Sequence, residues 1–336
     1  VNDRAGELNS WPGRLVHTGQ VIIDLVMPVD TLPAPGGDVL ARDARLWTGG
    51  GFNVMAAAAR SGAHVVYAGA HGTGRFGDQA REALRAEGIA VVQKPVAELD
   101  TGVCVVLVDD SGERTFVTGT GAEGRLQPEQ LAGVDTAPED LVYVSGYSLM
   151  HESNRVALLA WLPGVRGRVL FDPGPLTGQI DPKVLDAVLS RTDLLSCNAA
   201  EAHTLSGHGD PEAAAAVLVE RIGSAGVTTQ PTVTNQSGSA RGRHCGPDVV
   251  VRDGAAGCVL ASDGKAEVVH GFPVDPVDTN GAGDTHFGVL AAALLSGADL
   301  RSAAVRANAA ASLSVRRCGP ATAPVAAQID RFLTEG

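Results

Sequence analysis

From Leu141 onward the sequence alternates short apolar runs with helix-length segments: Leu141 to Val144, Arg155 to Trp161, Arg168 to Phe171, Val184 to Leu189, then Leu194 to Cys197. Strands buried on both faces read as continuous apolar runs, and parallel neighbours need a crossover between them. The rhythm therefore predicts βαβ units and a mostly parallel sheet, an α/β fold. Composition agrees: of 336 residues 44% are hydrophobic and only 4% aromatic, an aliphatic, Ala- and Gly-rich mixture that suits helices packed closely on such a sheet. No linker separates two domains.

The first third is less regular. Leu15 to Met27 reads as a buried first strand with Asp24 near its end, and Asp38 to Trp47 as a short exposed strand. Gly49-Gly50-Gly51 leads into a helix over Phe52 to Ser61. A strand over His64 to Ala70 precedes a helix over Phe76 to Glu87. Val103 to Val108 and Thr115 to Val117 flank the turn Asp109-Asp110-Ser111-Gly112, a hairpin signal. With Asp38 to Trp47 they are expected to form a small separate sheet. Thr228 to Pro247, rich in Thr, Ser, Gly, Asn and Gln, reads as a long loop.

Several classes of function are excluded early. The formal charge is −12 with no basic block, which argues against nucleic acid. No apolar run approaches a membrane span, and Val1 to Gly13 lacks a signal-peptide pattern. Cys104, Cys197, Cys245, Cys258 and Cys318 are scattered without a C-x-x-C pair, so they read as reduced thiols in a cytoplasmic protein. The histidines show no metal-ligand spacing.

Asp278-Thr279-Asn280-Gly281-Ala282-Gly283-Asp284 carries the most chemistry. This glycine-broken loop opens into the apolar run Phe287 to Leu295, so a helix begins there. Its first turn offers free N–H groups and a positive dipole end, and its small residues admit an anion closely. An acid at such a mouth suits proton removal from a hydroxyl attacking a phosphoryl group, and the bland alternative is a helix cap. Asn198-Ala199-Ala200-Glu201 places an amide and an acid on one helical face, either as a capping box or as a carboxylate near phosphate-bound Mg²⁺. Val249 to Val251 ends in Arg252-Asp253-Gly254-Ala255-Ala256-Gly257, at the edge where α/β ligands sit. Asp172-Pro173-Gly174-Pro175 reads chiefly as a turn, and Asn53 as a cap or a ligand. Gly72-Thr73-Gly74-Arg75-Phe76-Gly77 fits G-x-G-x-x-G, but the first βα unit, its usual place, has already passed.

In this order the motifs resemble those of the ribokinase family, the PfkB-type carbohydrate kinases. The resemblance runs from about Leu15 to about Leu333. It rests on the Asp24 strand with Leu32-Pro33-Ala34-Pro35-Gly36-Gly37, the glycine turn ending at Asn53, Asn198 to Glu201, and Asp278 to Asp284. Gly112-Glu113-Arg114-Thr115 and Ser314 to Gly319 also resemble family segments.

The resemblance implies a doubly wound, ribokinase-like α/β domain over residues 12–336. A small β-sheet lid would come from about 34–47 and 101–120. It implies a kinase using ATP and Mg²⁺ on a small sugar or sugar acid. Asp284 would be the base, and Gly281, Ala282 and Gly283 the anion hole. Asp24, Gly50 and Asn53 would hold the acceptor. Asn198 and Glu201 would serve the phosphates, Glu201 reaching Mg²⁺ through water. Arg252, Gly254, Gly257 and Asn308 would line the nucleotide site. A monovalent cation such as K⁺ would sit near Asp278 and Asn280. Two alternatives stay open: a nucleoside kinase of the same family, and a non-catalytic sugar-binding protein. Lysine usually stands at Gly50 in ribokinases proper, which leaves ribose in doubt. Apolar residues expected on the outer lid face (Val105, Leu107, Phe116) predict a homodimer joined lid to lid.

Overall fold

Residues 13–226 and 246–335 are described by a computed structural model; the Thr228 to Pro247 loop falls almost wholly outside them. The chain opens with β1 (Leu15–His17), β2 (Val21–Pro28) and β3 (Arg45–Gly50), followed by α1 (Gly51–Arg60), β4 (Val65–Tyr67), α2 (Arg75–Ala86) and β5 (Ala90–Val91). The hairpin β6 (Val103–Val108) and β7 (Arg114–Gly119) leads through α3 (Pro128–Ala132) to β8 (Leu141–Ser145), α4 (Gly146–Leu149) and α5 (Glu152–Trp161). Then come β9 (Arg168–Asp172), α6 (Pro182–Leu189), β10 (Leu194–Asn198), α7 (Ala199–Ser206) and α8 (Pro211–Gly226). The rest is β11 (Asp248–Arg252), β12 (Gly257–Ser262), β13 (Lys265–His270), α9 (Ala282–Leu295), α10 (Leu300–Ser314) and α11 (Ala326–Glu335).

Nine strands form one sheet in the order β13-β12-β11-β10-β9-β8-β1-β4-β5, parallel from β5 to β11 and antiparallel at β12 and β13. Successive side chains of each strand enter different cores. Leu15, Leu170, Leu194 and Val250 pack with α1, α9 and α10, whereas Val16, Val169, Leu195 and Val249 pack with α5, α6 and α8. Both faces are thus covered, which is why these strands are apolar throughout.

The second sheet, β3-β2-β6-β7, corrects two expectations. Leu15 to Met27 is not one strand. After His17 the backbone turns at Thr18, whose N–H and hydroxyl both bond Tyr143 O, and passes within 2.3 Å of where a Cβ on Gly69 would stand. The chain then enters the small sheet as β2, carrying Asp24 with it. The strand expected over Asp38 to Trp47 starts only at Arg45 and runs to Gly50. Upstream, Ala44 N–H bonds the Asp43 side chain instead of a ladder partner.

Register also splits the apolar lid residues. Val105 pairs with Val117 and Leu25, and Leu107 with Thr115 and Met27. Phe116 pairs with Val106 in the alternate rows, on the face that carries Asp24, Cys104 and Thr118. Phe116 is therefore not on the outer face with Val105 and Leu107, because adjacent rows point to opposite sides.

The G-x-G-x-x-G stretch does open a helix, but its N-terminus is already occupied. Asp100 accepts the N–H groups of Phe76 and Gly77 at 3.1 and 2.7 Å, so a side-chain carboxylate already stands where a pyrophosphate would bind. Among the described residues Cys104, Cys197 and Cys258 are buried free thiols and Cys318 is an exposed one. No helix among them is long and apolar enough to cross a membrane.

Candidate active site

Strands β9, β10 and β11 end side by side, and their last residues are Asp172, Asn198 and Arg252. This C-terminal edge is where an open α/β sheet leaves a crevice. Helix α9 starts above it, with Gly281 as its cap in the left-handed region (φ 73°). A Cβ on Gly281 would lie 2.1 Å from Pro320 O, so no other residue fits both the angle and the space. The first-turn N–H groups of Gly283 and Asp284 have no carbonyl within the helix to bond. The Arg252 guanidinium lies 3.7 Å from where a Cβ on Gly283 would stand. Donors and a cation thus converge on one spot, as an anion requires.

Asp284 sits in the first turn of α9 and accepts Asn53 Nδ2 at 2.9 Å. Asn53 belongs to α1, and a close helix contact brings the two together. At Gly288 a Cβ would stand 2.3 Å from Val54 O, so only glycine lets α1 and α9 approach so closely. Asn53 Oδ1 is buried and has no partner, an acceptor waiting for a donor. Asp24 reaches the same region from β2, where its carboxylate would overlap any side chain on Gly49, 2.0 Å from Cβ to Oδ2. Gly50 takes a positive φ of 62° at the strand-to-helix corner, where a Cβ would be 3.0 Å from Gln20 O.

The electrostatics follow from crowding acids in a dry crevice. Burial pushes the Asp284 carboxyl up to about 6, and Asp172 adds to this while Asn53 and Arg252 oppose it. Asp24 is pushed up to about 7 by burial and then by the charge of Asp284. Burial, then Asp172, raises Glu201; burial raises Asp172 against the pull of Arg252. Arg252 donates to Ser196 Oγ at 2.9 Å and lies 3.5 Å from Asp172 and 3.7 Å from Glu201. One guanidinium faces three carboxylates, Asp172, Glu201 and Asp284, with Asp24 a further acid beside Asp284, so the crevice favours added positive charge.

Asn198 and Glu201 form a capping box on α7: Asn198 Oδ1 accepts Glu201 N–H, and Glu201 Oε2 accepts Asn198 N–H, each at 2.8 Å. The bland reading is thus realised, and it still leaves Glu201 against Arg252 and Asp172. Gly254 turns with open space around it, and Gly257 with φ 105° lets the chain double back beside Val269. Asn308 departs from expectation. Its amide donates to Val269 O and His270 O and its oxygen faces His286 Nε2 at 3.1 Å, so it braces α10 against β13 and shows no free polar atom to a nucleotide. Asp278 accepts Asn280 N–H at 2.9 Å and Gly319 N–H at 3.0 Å, and also pairs with Arg114 of β7.

Sequence reasoning passed over two participants. Asp172 does accept Gly174 N–H at 3.1 Å, the turn expected of it, yet its other oxygen meets Arg252. Its place at a strand end beside Asn198 and Arg252 was the signal. Ser196, inside an apolar strand, gave none.

Oxygen donors with excess negative charge suit Mg²⁺, which commonly takes one or two carboxylates and keeps its other sites for water and phosphate. Among the described residues no group of three or more acidic, His or Cys side chains is arranged to hold a metal ion.

The sequence pattern described as "pfkB family carbohydrate kinase" matches residues 13–327. An uncharacterized sugar kinase of Escherichia coli, YegV, is 31% identical over 91% of this chain and 89% of its own length. The ribokinase of Haemophilus influenzae is 27% identical over 91% and 93%. A solved structure of a putative ribokinase II of E. coli, in complex with ATP and Mg²⁺, matches with TM-score 0.75 and 22% identity over 96% of this chain and 100% of that one, which shows a shared ribokinase-like fold. The site's geometry and these likenesses agree, and the chain belongs to the pfkB family of carbohydrate kinases.

Proposed function

We propose that this kinase transfers the γ-phosphoryl group of ATP to a hydroxyl of a small sugar or sugar acid, with Asp284 as the base. The observation that carries this reading is the Asn53–Asp284 pair at the mouth of the Gly281–Gly283 turn, with Arg252 behind it. An acceptor molecule held by Asp24, with one O–H donating to Asn53 Oδ1, would place another hydroxyl beside the Asp284 carboxylate. The attacking oxygen gives its proton to Asp284, forms the new P–O bond, and the bond from the γ-phosphorus to the β-phosphate oxygen breaks to release ADP. In a loose in-line transfer, most of the rate comes from positioning and charge stabilisation. Gly281, Ala282 and Gly283 supply the donors and Arg252 the fixed positive charge. Mg²⁺ held by phosphates, water and Glu201 would neutralise further charge.

The nucleotide would lie along the open edge at Asn198, Arg252, Gly254 and Gly257. A panel of sugars, sugar acids and nucleosides in a coupled ADP assay tests the acceptor class, and a sugar or sugar acid is expected to turn over fastest. A second reading, a nucleoside kinase, draws support from Phe116, 57% exposed on the Asp24 face of the small sheet, where a base could stack. Faster turnover of any nucleoside than of every sugar would establish it.

The raised carboxyls set two opposite pH trends. Asp284 must be ionised to act, so kcat/KM should fall as pH drops through about 6 to 7. Stability should move the other way. Both groups hold protons more tightly folded than at their ordinary 3.8, so the folded state binds more protons across that window. Their stabilising contribution is complete below about pH 4 and lost as pH rises through about 7. Melting curves of ligand-free wild type and Asp284→Asn across this range check the sign: the variant should show the shallower fall.

The small sheet would act as a lid that excludes water once sugar is bound. The row Val105, Leu107 and Val117 gives it an apolar outer face, and we propose that a second copy covers it. Val105→Asp should shift the protein toward monomer in light scattering and raise KM for sugar more than for ATP. A wild-type monomer at micromolar concentration would remove this dimer.

A further inference from the structure

The resemblance implies a monovalent cation beside Asp278, and the surroundings of that carboxylate do not fit one. A carboxylate has about four acceptor positions. At Asp278, Oδ1 accepts Asn280 N–H at 2.9 Å and also meets the Arg114 guanidinium, and Oδ2 accepts Gly319 N–H at 3.0 Å. Two neighbouring carbonyls are engaged as well. Val315 O accepts the N–H groups of Val277 and Asp278, and Ser314 O accepts Arg317 N–H and the Thr322 hydroxyl. A cation bound here would have to displace a guanidinium that already neutralises the only acid of the loop's first three residues.

We infer that Arg114 takes the place of a resident monovalent cation. Asp278 holds the two N–H groups that fix the loop entering Gly281, so its charge must be balanced beside a site meant for phosphate. Arg114 supplies that balance from β7, a strand of the small sheet rather than of the main fold. Trp47 of β3 adds a second contact from the same sheet, its ring 3.7 Å from where a Cβ on Gly319 would stand. The small sheet therefore reaches the loop that enters the anion hole through Arg114, and the Gly319 segment bonded to that loop through Trp47. Its docking and the neutralisation of Asp278 are one event, and Arg114 is a positioning residue for Gly281 to Gly283.

The activity arm of the test rests on the kinase reading; the melting arm does not. Wild type, Arg114→Ala and Arg114→Lys are assayed for kcat and KM in K⁺, Na⁺ and tetramethylammonium chlorides at constant ionic strength, and melted without ligands in the same salts. Wild type should show no K⁺-specific change in rate or melting beyond general screening. Arg114→Ala should lose roughly 10²-fold in kcat in tetramethylammonium, because the anion hole is no longer held in place. It should recover several-fold in K⁺ and melt higher there, while Arg114→Lys keeps most of the rate. Strong stimulation or stabilisation of wild type by K⁺ overturns the inference, as does an Arg114→Ala variant with wild-type kcat in tetramethylammonium. If Arg114→Ala does not fold, the wild-type salt series and Arg114→Lys decide: a lysine variant without activity in any salt counts against the inference. If wild type phosphorylates nothing, the functional reading fails, and a K⁺-specific rise in melting seen in Arg114→Ala but not wild type still upholds this one.

Discussion

Asp284→Asn is expected to lower kcat by roughly 10²–10⁴-fold, the usual share of a general base, with ATP affinity nearly unchanged. The substitution preserves shape and can still bond Asn53, so the α1–α9 junction should survive. It removes the only carboxylate that sits in the first turn of α9 beside the free N–H groups. Replacing an acid with an amide also relieves repulsion with Asp24 and Asp172, so the variant should melt no lower than wild type. A loss of rate with stability kept separates a chemical role from a structural one, and steady-state kinetics with a melting curve measures both. Wild-type turnover in this variant would mean that proton removal lies elsewhere.

Arg252→Met should show the reverse pattern, losing stability and rate together. The side chain is only 12% exposed and faces Asp172 and Glu201, themselves at least as deeply buried. Taking one partner from a buried ion pair typically costs about 3–5 kcal/mol, because the remaining charge is left without compensation. For a chain of this size that corresponds to a melting temperature lower by roughly 5 °C or more. The fixed charge behind Gly283 is lost as well, and removal of one stabilising group of this kind lowers kcat by roughly 10²-fold or more. Adding Asp172→Asn should restore part of the stability and little of the rate, since neutralising an acid replaces the missing compensation but supplies no positive charge. Equal recovery of both would argue that Arg252 acts only through Asp172.

Local chemistry explains what the sequence made legible. The start of α9 was readable because Gly281 and Asp284 stand beside an unbroken apolar run, and Asn198 to Glu201 because a capping box is a contiguous signal. The main sheet was readable from its apolar strands. The lid was harder. Val21 to Pro28 is as apolar as a core strand, and nothing in its residues says that it leaves the main sheet after His17; the break comes from contacts with Tyr143 and Gly69, far away in sequence. The side of Phe116 depended on a hairpin register that the turn residues left unspecified. The pairing of Arg114 with Asp278 joins residues 164 positions apart, beyond the reach of any pattern along the chain. Asn308 shows the opposite limit: its place in a family pattern suggested a nucleotide contact, and packing gave its amide to backbone carbonyls.

The measurement closest to the central claim is phosphorus NMR of wild-type enzyme with ATP, Mg²⁺ and each member of the acceptor panel. The account predicts a new phosphomonoester signal, formed in step with ADP, for at least one sugar or sugar acid and absent when Asp284→Asn is used over the same time. ADP formation without a new ester, or no reaction with any acceptor that calorimetry shows to be bound, would contradict it.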